Sequence, residues 1–376
     1  MKQPSLVRRL LFPLIPLYRL ALAFRELRLL VGLEPVRRLR FPVVSIGNLS
    51  TGGAGKTPLT IALAKALKRR GLRVDVLSRG YGRQSLLAAR VQPGGSAEEF
   101  GDEPLLIARE AKIPVYVAPR RYEAGLLAEA DAEASGSEPQ PASSSPGASP
   151  AAESASDGSP SAASQAPAPP PLRHVHLLDD GFQHRQLDRD VEILLLSQQD
   201  WQDCLLPAGN LREPRAAIRR ASVVALPADQ PELEAALCAW GWQGPVWRLR
   251  RKMEIPLVNS PVAAFCGIAR PEQFFSGLEA TGLEIALQLA FPDHFTYTRE
   301  VLEELLAEAR EKECAAIVTT GKDLVRLGKL ASIFPDSLPL VTASLSIEIE
   351  NESAALDWLV NRIARRQAPV RTTRFS

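Results

Sequence analysis

Residues 41–59 read FPVVSIGNLSTGGAGKTPL, and this stretch decides the fold. Phe41–Ile46 is a short apolar run ending at Gly47, the length of a buried strand. A helix is predicted from Pro58 to about Arg70, with Leu59, Ala62, Leu63, Ala66 and Leu67 on one face and Pro58 in the first turn, where its missing N–H costs nothing. Between them lies Ser50-Thr51-Gly52-Gly53-Ala54-Gly55-Lys56-Thr57, which fits the phosphate-binding pattern GxxxxGK[ST] except that Ser50 replaces the first glycine. The three glycines let backbone N–H groups curl around an anion, Lys56 reaches the terminal phosphates, and the Thr57 hydroxyl suits Mg²⁺. A strand before the loop and a helix after it are the context this chemistry needs, because the helix N-terminus adds its positive end.

Outward from this unit, strand and helix alternate. Strands are expected at Val74–Leu77, Val115–Val117, His174–Leu178, Val191–Leu196 and Ser222–Leu226, with helices at Glu103–Glu110 and Tyr122–Ala130. Apolar strands in repeated β-α units imply a parallel sheet covered by helices. From Pro261 the pattern restarts with VAAFCGI, a helix from Pro271, LEIALQLAF, a helix Arg299–Lys312, AAIVTT, LPLVTASLSIEI and a last helix Ser353–Arg366. The expected fold class is thus α/β: a P-loop NTPase-like parallel-sheet domain over 41–260 and a second, smaller α/β domain over 261–376.

The composition is that of a soluble globular chain: 376 residues, 45% apolar and 23% charged, with a net charge of +2. That near-neutral average conceals an uneven distribution. Residues 1–40 hold nine basic side chains against Glu26 and Glu34, so this arm carries +7 and the remaining chain −5. Its stretch LLFPLIPLYRLALAF, Leu10–Phe24, is broken by Pro13 and Pro16 and falls short of the roughly 20 apolar residues of a membrane span. A basic, Leu-rich segment of this kind reads as a helix lying in an anionic membrane surface, the alternative being a first helix packed on the protein's own core. Of the 37 residues 135–171, 32 are Ser, Ala, Pro or Gly, so a disordered surface insert is expected there. Four cysteines, none closer than 28 residues to the next, form neither a zinc pattern nor a disulfide framework. The net-acidic body argues against nucleic acid as a partner.

A nucleotide loop needs a carboxylate at the end of a neighbouring strand to orient its metal, and His174-Val-His-Leu-Leu-Asp179-Asp180 ends in two. Gly181-Phe-Gln183-His184-Arg185 follows at the C-terminal edge of the sheet, where open α/β sheets bind ligands. Asp102-Glu103 opens a predicted helix, where Asp102 could also be a simple N-cap. His174 and His176 alternate along their strand and read as packing residues; an HxH pair with no third ligand nearby in sequence is weak evidence for zinc.

The P-loop segment, SRGYG (Ser78–Gly82), GDEP (Gly101–Pro104), LDDGFQHR (Leu178–Arg185), LLPAGNLREP (Leu205–Pro214), FCGIARPEQF (Phe265–Phe274), FPDHF (Phe291–Phe295) and TTGKD (Thr319–Asp323) occur in this order. Together they resemble the tetraacyldisaccharide 4'-kinases, the lipid A 4'-kinases of Gram-negative bacteria, over most of the chain from about Phe41 to Asp323. Two departures stand out: the insert is larger than the family usually carries, and Gly321 stands where Glu is expected. The resemblance implies transfer of the γ-phosphate of ATP, with Mg²⁺, to the 4'-hydroxyl of a tetraacyl glucosamine disaccharide 1-phosphate held in the cytoplasmic leaflet of the inner membrane. It further implies Asp102 as base paired with His294, and Lys56 in catalysis. Thr57, Glu103 and Asp179 or Asp180 are then the candidates for Mg²⁺. Arg79, Tyr81, Gln183, Arg185, Arg212 and Glu213 are candidates for the substrate, arginine being suited to a phosphate. GGAGKT also resembles the loop of membrane-associated switch ATPases, but those typically carry an additional lysine where this chain has Ser50 and Thr51, and they lack the GDEP and DDGFQHR motifs.

Overall fold

The structure, a computed structural model, describes residues 6–53, 55–136 and 174–367. Ala54 and most of the insert expected at 135–171 lie outside the described residues, Ser135 and Gly136 being the last two residues of a helix. The strands are β1 Val43–Asn48, β2 Arg73–Ser78, β3 Ala89–Arg90, β4 Val115–Val117, β5 His174–Asp179, β6 Val191–Leu195, β7 Val223–Pro227, β8 Val246–Glu254, β9 Val262–Cys266, β10 Ile285–Ala290, β11 Ala316–Thr320 and β12 Leu340–Ile349. The helices are α1 Leu6–Leu11, α2 Ile15–Leu30, α3 Lys56–Arg69, α4 Ala97–Phe100, α5 Asp102–Ala111, α6 Arg121–Gly136, α7 Gln198–Gln202, α8 Pro231–Ala239, α9 Pro271–Glu279, α10 Arg299–Glu311, α11 Gly321–Leu327 and α12 Glu352–Gln367.

All described strands belong to one sheet in the order β10-β9-β11-β12-β8-β7-β6-β1-β5-β2-β4-β3. Pairing is parallel except at β12–β8 and at the short edge pair β3–β4. β1 runs between β5 and β6, with Ile46 level with Asp179, so the phosphate loop and the paired acids leave the sheet side by side. β1, β5 and β6 are buried along their whole length, as strands covered on both faces must be. Helix α3 buries Leu59, Leu63 and Leu67 against them.

β8 is absent from the sequence reading, and it is the strand that joins the two parallel sets. Its sequence, VWRLRRKME, buries Trp247 and Leu249 while Arg248 and Arg250 face outward, a period-2 pattern hidden by its charge, and Arg251, on the inner parity, lines the cavity beside Gly55. The expected division at residue 261 needs correction at its far end. Ile347 and Ile349 of β12 and Leu356, Leu359 and Ile363 of α12 belong to the core around β1 and α3, and Arg69 and Arg70 pair with Glu352 and Asp357. The chain leaves the first half at β9 and returns to it, so the second parallel set, β10-β9-β11-β12, is an excursion rather than a C-terminal appendage.

The N-terminal arm packs on the protein's own core along one face of α2 and leaves apolar side chains exposed on the other. Ile15, Tyr18 and Leu22 of α2 pack on the apolar cluster around Phe182 and Leu211, Tyr18 donates to the Arg212 carbonyl at 2.9 Å, and Arg25 pairs with Glu213 at 2.8 Å. The opposite face leaves Leu10, Leu14, Leu17, Leu20, Phe24 and Leu27 exposed, Leu17 and Leu20 each at 66%. No helix among the described residues is long and apolar enough to cross a membrane.

Candidate active site

The loop from β1 to α3 forms because β1 must end where α3 begins. Gly47 lies so close to the neighbouring Gly181-Phe182 turn that a Cβ there would fall 2.6 Å from the Phe182 Cβ and 2.8 Å from its backbone nitrogen. No side chain caps α3 at Gly55, leaving its first N–H groups for a ligand. Lys56 donates to the Asn48 side chain at 3.0 Å and stands 3.5 Å from Asp180.

The two acids at the end of β5 sit in unlike environments. Asp180, at a left-handed φ of +48°, accepts two hydrogen bonds from the Arg212 guanidinium at 2.9 and 3.2 Å. Burial would raise its carboxyl, but Lys56 and Arg212 hold it well below the usual carboxylate range. Asp179 accepts from the Thr60 hydroxyl at 3.2 Å, and no arginine among the described residues is hydrogen-bonded to it. Burial first, then the charges of Glu103 and Asp180, push it up to about 7.

The GDEP segment begins α5, and Asp102 at its first position is 5% exposed. Oδ2 of Asp102 meets His294 Nδ1 at 3.0 Å, Arg326 at 2.6 and 2.8 Å, and Lys322 at 3.8 Å. Burial alone would raise this carboxyl; the His294 hydrogen bond and the Lys322 and Arg326 cations outweigh it and keep Asp102 ionised far below its ordinary pKa. His294 has a φ of +61°, a strained backbone held by the FPDHF turn, and its ring lies 5.1 Å from that of Tyr81. Lys322 also reaches Glu103 at 3.2 Å and Asp293 at 3.6 Å.

One cavity of about 930 Å³ lies between the two parallel sets, with Gly52, Lys56, Asp179, Arg212 and Tyr81 on one side and His294 and Lys322 on the other, while Asp102 and Arg326 lie behind its lining. Arg79, Thr57 and Glu103 also line it. Gln183 instead donates to the Asn48 carbonyl at 2.9 Å, outside the cavity lining. Arg185 and Glu213 do not reach the cavity either: Arg185 pairs with Glu26 of the arm, and Glu213, buried, is held by Arg25 and Arg220. Nor do the carboxylates of Glu103, Asp179 and Asp180 converge on one point; among the described residues, the one convergent cluster of His, Cys, Asp or Glu lies elsewhere.

A family model described as tetraacyldisaccharide-1-P 4'-kinase matches residues 7–364. The chain belongs to the tetraacyldisaccharide-1-P 4'-kinase family. The tetraacyldisaccharide 4'-kinase of Koribacter versatilis is 38% identical over 366 residues, covering 94% of this chain and 99% of that one. That of Anaeromyxobacter sp. (strain K) is 39% identical, covering 86% and 82%. The crystal structure of LpxK from Aquifex aeolicus in complex with ATP matches with a TM-score of 0.68 at 31% identity, over 95% of this chain and 99% of that one.

In this 4'-kinase family member the residues that sequence reasoning passed over sit in the TTGKD segment and just beyond it. Lys322, Asp323 and Arg326 fall three and four positions apart on α11, one helical face, which is the signal that could have found them. Asp323 accepts from the Gly267 N–H and the Tyr297 hydroxyl and pairs with Arg326, which also donates to the Gly267 carbonyl. Gly321 has a packing reason: a Cβ there would come within 3.2 Å of Leu106 and 3.3 Å of the Glu110 carboxylate, so α11 approaches α5 closely.

Proposed function

We propose that this protein transfers the γ-phosphate of ATP to the 4'-hydroxyl of a tetraacyl glucosamine disaccharide 1-phosphate, the lipid A precursor, at the cytoplasmic face of the inner membrane. The observation that carries the reading is the contact of buried Asp102, at 3.0 Å, with His294, which lines the cavity that also holds the phosphate loop. Asp102 with His294 orients the acceptor hydroxyl and takes its proton as the oxygen attacks the γ-phosphorus; the leaving oxygen stays with ADP. A phosphoryl transfer that is largely dissociative asks little basicity of this pair and much positioning, which suits a carboxylate kept ionised. Arg326 and Lys322 fix that carboxylate rather than touch the reacting atoms.

Residues 50–57 cradle the phosphates, with Lys56 neutralising their charge. The donor set fits Mg²⁺: Asp179 is buried without a cation bonded to it, and its raised pKa marks negative charge that a hard divalent ion would relieve. Asp179 with the Thr57 hydroxyl would hold it, Asp180 being committed to Arg212 and Lys56, and Glu103 lines the same cavity. When bound, the ion supplies charge neutralisation at the transferring phosphoryl group. Arg79, Tyr81 and Arg212 line the cavity, where they can meet the acceptor. The exposed Leu and Phe face of α2 and the +7 charge of the arm support docking on an anionic leaflet, with the acyl chains remaining in the bilayer.

The test is ATP consumption by the purified chain with and without the tetraacyl disaccharide acceptor in detergent. Acceptor-dependent phosphorylation is expected, and Asp102→Ala should lower turnover far more than ATP affinity. Hydrolysis indifferent to the acceptor would overturn the reading.

A further inference from the structure

The two histidines of β5 have a third partner that only folding supplies. Asp75 on β2 stands directly across from His176 in the parallel ladder, and His174, two residues back, shares its face. One Asp75 oxygen meets His174 Nε2 at 2.6 Å and the other meets His176 Nδ1 at 2.5 Å. All three side chains are buried. None of them touches the phosphate loop or the cavity above it. Along β5, His176 and His174 lie three and five residues from Asp179, about 10 and 17 Å away.

We propose that Asp75, His174 and His176 bind a divalent first-row transition ion, Zn²⁺ by its ligand preference, with water completing the coordination. The three donor atoms lie within 4.8 Å of one another, on two adjacent strands of a rigid sheet. Two imidazoles and one carboxylate form the borderline donor set of such ions, and three protein ligands leave a position open. A cavity of about 320 Å³ reaches His174 and Asp75 from the surface, giving the ion a route and the water a place. Ligands around tetrahedral zinc stand about 3.3 Å apart, between the 2.5 and 2.6 Å hydrogen-bond contacts and the 4.8 Å that bounds the cluster, so modest side-chain shifts form the site.

Glu129 stands on the side of His176 away from Asp75. With Nδ1–H donated to Asp75, the buried Nε2 faces the Glu129 carboxylate at 3.6 Å without a hydrogen bond. A metal on Nδ1 instead leaves Nε2–H pointing at that carboxylate, the second-layer arrangement that orients metal-bound histidines. Glu129 is itself anchored by the backbone N–H groups of Arg40 and Phe41, at 2.5 and 3.0 Å, and the Phe41 ring stacks on His174 at 4.3 Å. Binding releases the protons that lie between the imidazoles and Asp75. The ion would clamp β2, β5 and α6 together, a structural rather than a transfer role.

The test uses the full chain stripped with EDTA and returned to buffer containing excess Mg²⁺, which occupies oxygen sites. Titration with Co²⁺ should give one equivalent of intense visible bands from a four-coordinate site, without the near-ultraviolet charge transfer of a thiolate. Zn²⁺ should displace those bands and raise the melting temperature. His174→Gln, which keeps a donor for Asp75, should lose both signals, and Glu129→Gln should weaken Co²⁺ binding about 10- to 100-fold. If His174→Gln does not fold, the Glu129→Gln comparison decides. Absence of the bands in the unaltered chain, or bands and a Zn²⁺ shift that survive in His174→Gln or remain at full affinity in Glu129→Gln, would overturn the proposal.

Discussion

Arg326→Gln tests whether the site depends on a guanidinium that bridges the two halves of the molecule. Arg326 binds Asp102 through two nitrogens at 2.6 and 2.8 Å, and also Asp323 at 3.1 Å, with side chains 7% and 5% exposed at the Arg326–Asp102 contact. Charge centres about 4 Å apart at an effective dielectric near 20 attract by about 4 kcal/mol. Desolvation of both groups opposes this, and Lys322 and His294 remain beside Asp102 when Arg326 is lost. We therefore expect Arg326→Gln to cost about 3 kcal/mol and its coupling to Asp102→Asn to be about 2 kcal/mol. The cycle is read by urea unfolding of the four proteins at pH 7. The sign with pH follows from the depressed pKa of Asp102. Its ionisation contributes stability above the unfolded carboxylate value near 3.9, lost only as pH falls through the lower folded value. Without Arg326 the folded value rises, so the contribution at pH 7 shrinks and acid unfolding begins at higher pH. A coupling below about 0.5 kcal/mol would refute the reasoning.

Three further outcomes are expected. Burial and the nearby Arg121, Arg189 and Arg79 hold His184 neutral down to about pH 4, whereas the unfolded chain takes up that proton below about 6.5. Stability should therefore fall by on the order of 2 kcal/mol between those values, and His184→Gln should flatten that slope in unfolding curves at pH 7 and pH 4.5. Gly47→Ala should cost about 1–3 kcal/mol, because its methyl meets Phe182 at 2.6 Å; an unchanged melting temperature would contradict the packing argument. Replacing Leu17, Leu20 and Phe24 together by Ser should abolish flotation with anionic vesicles while leaving the melting temperature nearly unchanged, since these side chains are exposed.

By itself, the sequence determined the α/β class, the β1–loop–α3 unit and the family. Each rests on local pattern: an apolar run, glycines at fixed offsets, and ordered motifs. The boundaries of β1, α5 and β5 follow from that pattern to within a residue or two. The joining strand β8 was illegible because its outward face is cationic, and α12 returns to the first core through contacts far apart in the chain. Charge behaved the same way. Asp179 and Asp180 are adjacent and chemically identical, yet Arg212 neutralises one and leaves the other exposed to Glu103. Arg185 and Glu213 read as substrate contacts, yet they fasten the arm. His174 and His176 had no third ligand until β2 laid Asp75 beside them. Spacing along the chain can specify which residues a site contains. Which charges are already paired is set by residues brought together from distant elements, and only the tertiary structure decides that.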